Sequence, residues 1–159
     1  MDPLLEILQQ DATLSDSEIA DRMGTDADTV KSKREALEAD RTILGYHAVI
    51  DRDKAGNHNV AALIEVKLTP ERDGGFDRLA ERIAKFDQVT NCYLMSGGYD
   101  LAVIVEGEDL RDVARFVSEK LSTLEGVLST ATHFQLKVYK QAGFLAEAEH
   151  EQKRLAVAP

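Results

Sequence analysis

The sequence predicts an α+β chain, an N-terminal winged helix-turn-helix followed by a βαββαβ ferredoxin-like domain, and three observations carry the prediction. Apolar residues keep helical spacing from Pro3 to about Asp40. The stretch Asp51 to Asn59 then holds no apolar residue larger than Ala55. Beyond it, alternating and amphipathic segments follow in the order strand, helix, strand, strand, helix, strand. The expected divisions of the 159 residues are a helical domain at 1–50, a linker at 51–59, a ferredoxin-like domain at 60–140 and a charged tail at 141–159.

In the first segment, Asp2 is placed to cap a helix with Pro3 at its first position, where a missing N–H costs nothing, and Leu4, Leu5, Ile7 and Leu8 supply its apolar face. Ser15, three residues before Glu18, has the capping-box spacing for a second helix that carries Ile19, Ala20 and Met23 inward and stops at Gly24. A third helix opens at Thr25 or Asp26 and runs through Val30 and Leu37 towards Asp40. Ile43 to Ile50 reads as a strand, the wing. Two short helices around a turn holding Gly24 have the form of a helix-turn-helix, with the third helix as reader of the DNA major groove. A plain three-helix bundle has the same form.

At about 100° per residue, Ala27, Val30 and Leu37 share one face of the third helix, and Thr25, Asp28, Thr29 and Ser32 share the opposite one. Lys31 and Lys33 flank that polar face, positions from which each meets phosphates while the small residues approach base edges. A solvated helix face has the same composition.

In the second segment, Asn59 to Leu68 alternates as a strand, and Phe76, Leu79, Ile83 and Phe86 mark a helix. Val89 to Met95 is a strand, Ser96-Gly97-Gly98 turns the chain into Asp100 to Val105, and Leu110, Val113, Ala114, Val117 and Leu121 mark the second helix. Val127 to Tyr139 supplies the last strand, and Phe144 to Pro159 is expected as a short surface helix. This order places both helices on one face of an antiparallel sheet. Leu63 and Val103, expected on the other face, point to a dimer made sheet to sheet.

Composition excludes several functions. No apolar run reaches the roughly 18–20 residues of a membrane span, and no basic-then-apolar leader is present, so a cytoplasmic protein is expected. The single Cys92 leaves no intramolecular disulfide or paired-cysteine zinc site and reads as a core residue. His47, His58, His133 and His150 are scattered, without ligand spacing, so no metal is expected. There is no nucleophile elbow or Walker loop, and Glu108-Asp109 reads as a helix cap, so the chain is not expected to be an enzyme or to hold a cofactor. The charge of −10 opposes a diffuse electrostatic grip on DNA, all the more because residues 1–56 hold 13 acids against 7 bases. DNA binding therefore depends on local placement, with Lys31, Lys33, Arg34 and Arg41 gathered in or just after the third helix.

Leu14-Ser-Asp-Ser-Glu-Ile-Ala20, Val30, Leu37-Glu38, Ile43-Leu-Gly-Tyr46, Cys92-Tyr-Leu-Met-Ser-Gly-Gly-Tyr-Asp-Leu101 and Leu124-Glu-Gly-Val127 occur in the order and spacing of the Lrp/AsnC, or feast/famine, regulators. From about Pro3 to Tyr139 the chain resembles that family. The resemblance implies a DNA-binding helix-turn-helix joined to a RAM-type βαββαβ domain that binds a small effector, usually an amino acid. It also implies a homodimer that assembles to tetramers or octamers on double-stranded DNA. By the same likeness Ser96, Gly97, Gly98, Tyr99 and Asp100, with Leu128 nearby, are effector-binding candidates. Adjacent glycines let backbone N–H groups approach a carboxylate, and Asp100 is a possible acceptor for an ammonium. A simple hairpin turn uses glycines equally well. The chain departs from the family at Thr25 and Arg34, where apolar residues are usual, and at Arg41, where glycine is common. The function expected is sequence-specific transcriptional regulation that responds to an effector. The alternative is an amino-acid-binding oligomeric sensor that no longer binds DNA.

Overall fold

Asp2 begins the first helix, α1 (Pro3–Gln10), by accepting from the Leu4 N–H at 2.9 Å. The computed structural model describes residues 1–70 and 75–146, and the chain divides into two compact units between Ala48 and Val49. In the first unit α2 (Asp16–Met23) opens with the reciprocal capping box: Glu18 N–H donates to Ser15 Oγ, and Ser15 N–H donates to the Glu18 carboxylate at 2.8 Å. Gly24 closes α2 in the left-handed conformation at φ 67°. Asp26 then caps α3 (Ala27–Ala39). Leu4, Leu8, Ile19, Ala20 and Val30 form the core, with Ile7, Leu14, Met23, Leu37 and Ile43 packed against it.

Ile43 to Ile50 is not a strand. The segment forms no ladder with any described residue, and Leu44, Tyr46 and Ile50 are exposed. A strand exists only through a neighbour's N–H and C=O groups, and alternation alone does not supply one.

The second unit begins with tight turns over residues 51–57, tied to the sheet by an ion pair between Arg52 and Glu106. Its antiparallel sheet has the order β2-β3-β1-β4, built from β1 (Val60–Leu68), β2 (Val89–Leu94), β3 (Leu101–Gly107) and β4 (Val127–Phe134). Helices α4 (Asp77–Ala84) and α5 (Leu110–Arg115) supply the other layer. The shared core holds Ala62, Ile64, Val66 and Leu68 of β1, Leu101, Val103 and Val105 of β3, and Leu79, Ile83, Val113, Phe116, Leu121 and Leu124. Burying each large aliphatic chain contributes roughly 1.5–3 kcal/mol before entropy is set against it.

Three expectations need correction here. Val103 faces the helices and is fully buried, because Leu63 pairs with Ile104 and a strand's faces alternate with every residue. The open face therefore carries Ala61, Leu63, Ala102 and Ile104. The second helix is buried through Val113, Phe116 and Leu121 rather than through Leu110 or Ala114, both exposed. Its continuation, Phe116–Leu121, is a π-helical turn. Residues five apart diverge by about 140° on an α-helix, and the wider turn brings both Phe116 and Leu121 into the core. Lastly, β4 ends at Phe134, and the chain forms a small hairpin of β5 (Lys140–Gln141) and β6 (Phe144–Leu145) where a helix was expected to start. Ala142 and Gly143, both at positive φ, make its turn. The remainder of that expected helix, with His150, lies outside the described residues.

Candidate nucleic-acid interface and effector loop

On α3 the inward stripe is Val30, Lys33, Arg34 and Leu37, spaced as one helix face, and it differs from the face expected. Ala27, placed inward by the sequence, is exposed. Lys33 and Arg34 are half-buried and serve helix packing. Lys33 Nζ lies 2.9 Å from Asp2 Oδ2, and Arg34 Nη2 lies 2.7 Å from Asp16 Oδ1. The Asp2 carboxyl is held below its ordinary value by its bond to Lys33 and by the Leu4 N–H. Arg34 also stands beside Tyr46, whose hydroxyl donates to Glu38 at 2.9 Å. Burial and the Glu38 carboxylate both push the Tyr46 hydroxyl pKa upward. Asp2, Asp16, Glu38 and Tyr46 were not singled out as partners by the sequence. The acid for Arg34 is 18 residues away, and no local spacing signals it.

Of the remaining candidates, Thr25, Asp28, Thr29, Lys31, Ser32 and Arg41 are exposed. Thr29 is committed to the cap: its N–H and hydroxyl donate to Asp26 Oδ1 and Oδ2 at 2.8 and 2.7 Å. Those two bonds hold the Asp26 carboxyl below its ordinary value. The outward face of α3 thus presents Asp28, Lys31 and Ser32, with Thr25 before the helix and Arg41 after it. Among the described residues neither Lys31 nor Arg41 has an ion-pair partner, so their donors are available to phosphate.

Arg41 adopts φ 61°, the left-handed conformation in which glycine is favoured, and its N–H donates to the Glu38 carbonyl to terminate α3. Thr42 N–H turns to Asp40 Oδ1 at 2.8 Å, and Ile43 N–H to the Leu37 carbonyl at 2.9 Å. Those bonds and the docking of Ile43 in the core hold the turn, so Arg41 is displayed at some backbone cost.

In the second unit, Ser96 to Asp100 joins β2 to β3. Asp100 is half-buried and fixed: its N–H donates to the Val66 carbonyl, and its Oδ2 accepts the Leu68 N–H at 2.7 Å. Only part of that carboxylate therefore remains for an ammonium. Among the described residues the N–H groups of Gly97, Gly98 and Tyr99 have no hydrogen-bond partner. Gly97 needs its glycine for φ 136°, whereas Gly98 has no positive φ and open space where a side chain would stand. Gly98 is thus free for the close approach of something outside the chain. Leu128 is exposed at the start of β4, where Val127 pairs with Leu68, so it lies at the same end of the sheet as Asp100.

Other candidates have structural roles. Asp109 caps α5 by accepting the Asp112 N–H at 2.8 Å. Cys92 packs against the core, and burial raises its thiol pKa. No group of three or more His, Cys, Asp or Glu side chains suited to a metal occurs among the described residues, and no helix there is long and apolar enough to cross a membrane.

The chain is similar to known proteins in both of its units. Residues 61–144 match the Lrp/AsnC ligand binding domain. The chain is 46% identical over 157 residues to the helix-turn-helix-type transcriptional regulator YugG of Bacillus subtilis, covering 98% of this chain and 95% of that protein. It is 28% identical over 140 residues to the proline dehydrogenase transcriptional activator of Rhizobium radiobacter, covering 88% and 89%. Among solved structures, a transcriptional regulator of Neisseria meningitidis in complex with L-Met aligns with a TM-score of 0.66 at 22% identity, over 87% of this chain and 89% of that one. AsnC of E. coli aligns with a TM-score of 0.63 at 21% identity, over 87% and 91%.

Proposed function

We propose that this chain, which belongs to the Lrp/AsnC family of transcriptional regulators, reads double-stranded DNA with the outward face of α3 and senses an amino acid at the loop Ser96–Asp100. The observation that carries the first part is the division of basic residues on and after α3. Lys33 and Arg34 are spent on Asp2 and Asp16, while Lys31 stands open on the face that carries Asp28 and Ser32 and Arg41 stands open after the other end of α3. Lys31 and Arg41 contact phosphates, and the small polar residues approach base edges.

For the second part, a carboxylate accepts from the unpaired N–H groups at Gly97, Gly98 and Tyr99, with Ser96, Asp100 and Leu128 around it. The complex of the Neisseria meningitidis regulator with L-Met supports an amino-acid effector. The open sheet face bearing Leu63 and Ile104 joins two copies, and dimers assemble further to tetramers or octamers in the cytoplasm. Several reading heads then combine modest affinities on adjacent sites, which offsets an acidic chain's weak attraction for DNA. An effector shifts the assembly only as far as its affinities for the two assemblies differ.

The test is to incubate the purified protein with fragmented DNA of its own genome at low and moderate salt and to sequence what is retained. Enrichment of a short pseudo-palindrome is expected. Absence of enrichment at both salts refutes DNA reading and favours a sensor that no longer binds DNA.

A further inference from the structure

A cleft of about 410 Å³ opens where β1 ends and β4 begins, lined by Thr69, Arg78, Leu79, Arg82, Glu125 and Gly126. That volume falls within the roughly 300–1,000 Å³ of small-molecule sites. The surroundings are braced: Thr69 N–H donates to the Gly126 carbonyl at 2.8 Å, and Leu79 is buried. A Cβ at Gly126, whose φ is 94°, would stand 3.0 Å from Leu79 Cδ2, so glycine keeps that wall in place.

Arg78 and Arg82 lie one turn apart on the exposed side of α4. Among the described residues neither guanidinium has an ion-pair or hydrogen-bond partner, and neither does the Glu125 carboxylate in the same cleft. Two cations one turn apart repel each other, and an anion that bridges them removes the repulsion while gaining forked hydrogen bonds. Glu125 disfavours a simple polyanion and offers an acceptor to a cationic group. The cleft therefore presents two positive charges and one negative. A ligand with two carboxylates and one ammonium complements all three.

We propose that this cleft binds an acidic amino acid, its carboxylates on Arg78 and Arg82 and its ammonium on Glu125. None of its lining residues belongs to the loop Ser96–Asp100, although Thr69 follows Leu68, whose N–H that loop's Asp100 holds, so the cleft neighbours the effector site proposed above and is told apart from it by the variants below.

Calorimetric titration of the full chain tests it with L-glutamate, glutarate, L-glutamine and inorganic phosphate. L-glutamate is expected to bind, with glutarate, which lacks the ammonium, and L-glutamine, which lacks one carboxylate, each weaker by about tenfold or more. Arg78→Gln with Arg82→Gln is expected to weaken L-glutamate by at least about tenfold, while Glu125→Gln weakens L-glutamate and leaves glutarate unchanged or tighter. Because these side chains are exposed, the melting curves of the variants should match the parent's. Absence of L-glutamate binding overturns the proposal, as does phosphate binding equally well. Full retention of binding in the double variant also overturns it. Loss of binding in Gly98→Leu, with retention in the arginine variant, assigns the ligand to the loop instead and likewise refutes the cleft.

Discussion

Replacing Arg41 by glycine and by alanine separates its backbone role from that of its side chain. Both substitutions remove the guanidinium, and they differ in how the new residue tolerates φ 61°. A left-handed conformation costs a residue with a Cβ about 1–2 kcal/mol, part of which is offset because glycine loses more freedom on folding. The net expectation is that Arg41→Gly is more stable than Arg41→Ala by about 1 kcal/mol. Inside an ordinary helix the order is the reverse by a similar amount. The sign therefore reports the backbone conformation directly. Hydrogen exchange of the amides of Ala27–Ala39 in the full chain gives the reading: about 1 kcal/mol is about fivefold slower exchange in the glycine variant. Both variants should bind DNA more weakly than the parent, and by the same factor, because both lack the cation. Equal or better protection in Arg41→Ala would refute the strain argument. Unequal DNA binding by the two variants would show that the turn, rather than the guanidinium, matters to the interface.

Other consequences concern single positions. Gly98→Ala should leave the melting temperature unchanged, since nothing lies near its added carbon, yet weaken the amino-acid effector; Gly97→Ala should destabilise the unit by about 1 kcal/mol or more, because its φ is 136°. Equal melting temperatures for the two variants would contradict this. Arg34→Leu should cost about 1 kcal/mol by stranding the half-buried Asp16, and adding Asp16→Leu should recover most of it, as a double-mutant cycle in urea will register. The carboxyls of Asp2, Glu18 and Asp26 are depressed in the folded chain by Lys33, Ser15 and Thr29 in turn. Their stabilisation is thus full above the ordinary values of 3.8 for Asp and 4.5 for Glu, and is lost as pH falls through the lower folded values. Asp26→Asn should accordingly flatten the acid limb of a stability profile, and an unchanged limb would remove Asp26 from the account.

Local signals were readable wherever the stabilising partner lies within a few residues. Asp2 before Pro3, Ser15 before Glu18, Gly24 after Met23 and Asp109 before Leu110 each satisfy a nearby helix end, and each is found in that role. The four-strand topology was likewise written in alternation and helical spacing. Positions whose role depends on distant packing were not readable. A helical wheel places Lys33 beside the polar face, but Asp2 and Asp16, brought in by other helices, turn the buried stripe towards Lys33 and Arg34. Val103 and Leu63 look equivalent until the register puts them on opposite faces. Ile43 to Ile50 alternates like a strand without a neighbour, and nothing in apolar spacing announces the π-helical turn at Phe116. In the loop Ser96–Asp100, glycines and an acid were visible, while the use of one Asp100 oxygen by Leu68 was not.

The central claim is that the outward face of α3, and not its half-buried basic pair, meets DNA. Its most direct test is the salt dependence of affinity for a fragment recovered from the protein's own genome, compared between Lys31→Ala and Lys33→Ala. Lys31→Ala should bind more weakly and lower the slope of log affinity against log salt by about 1, while Lys33→Ala keeps the parent slope. A reduced slope in Lys33→Ala with the parent slope in Lys31→Ala would contradict the account.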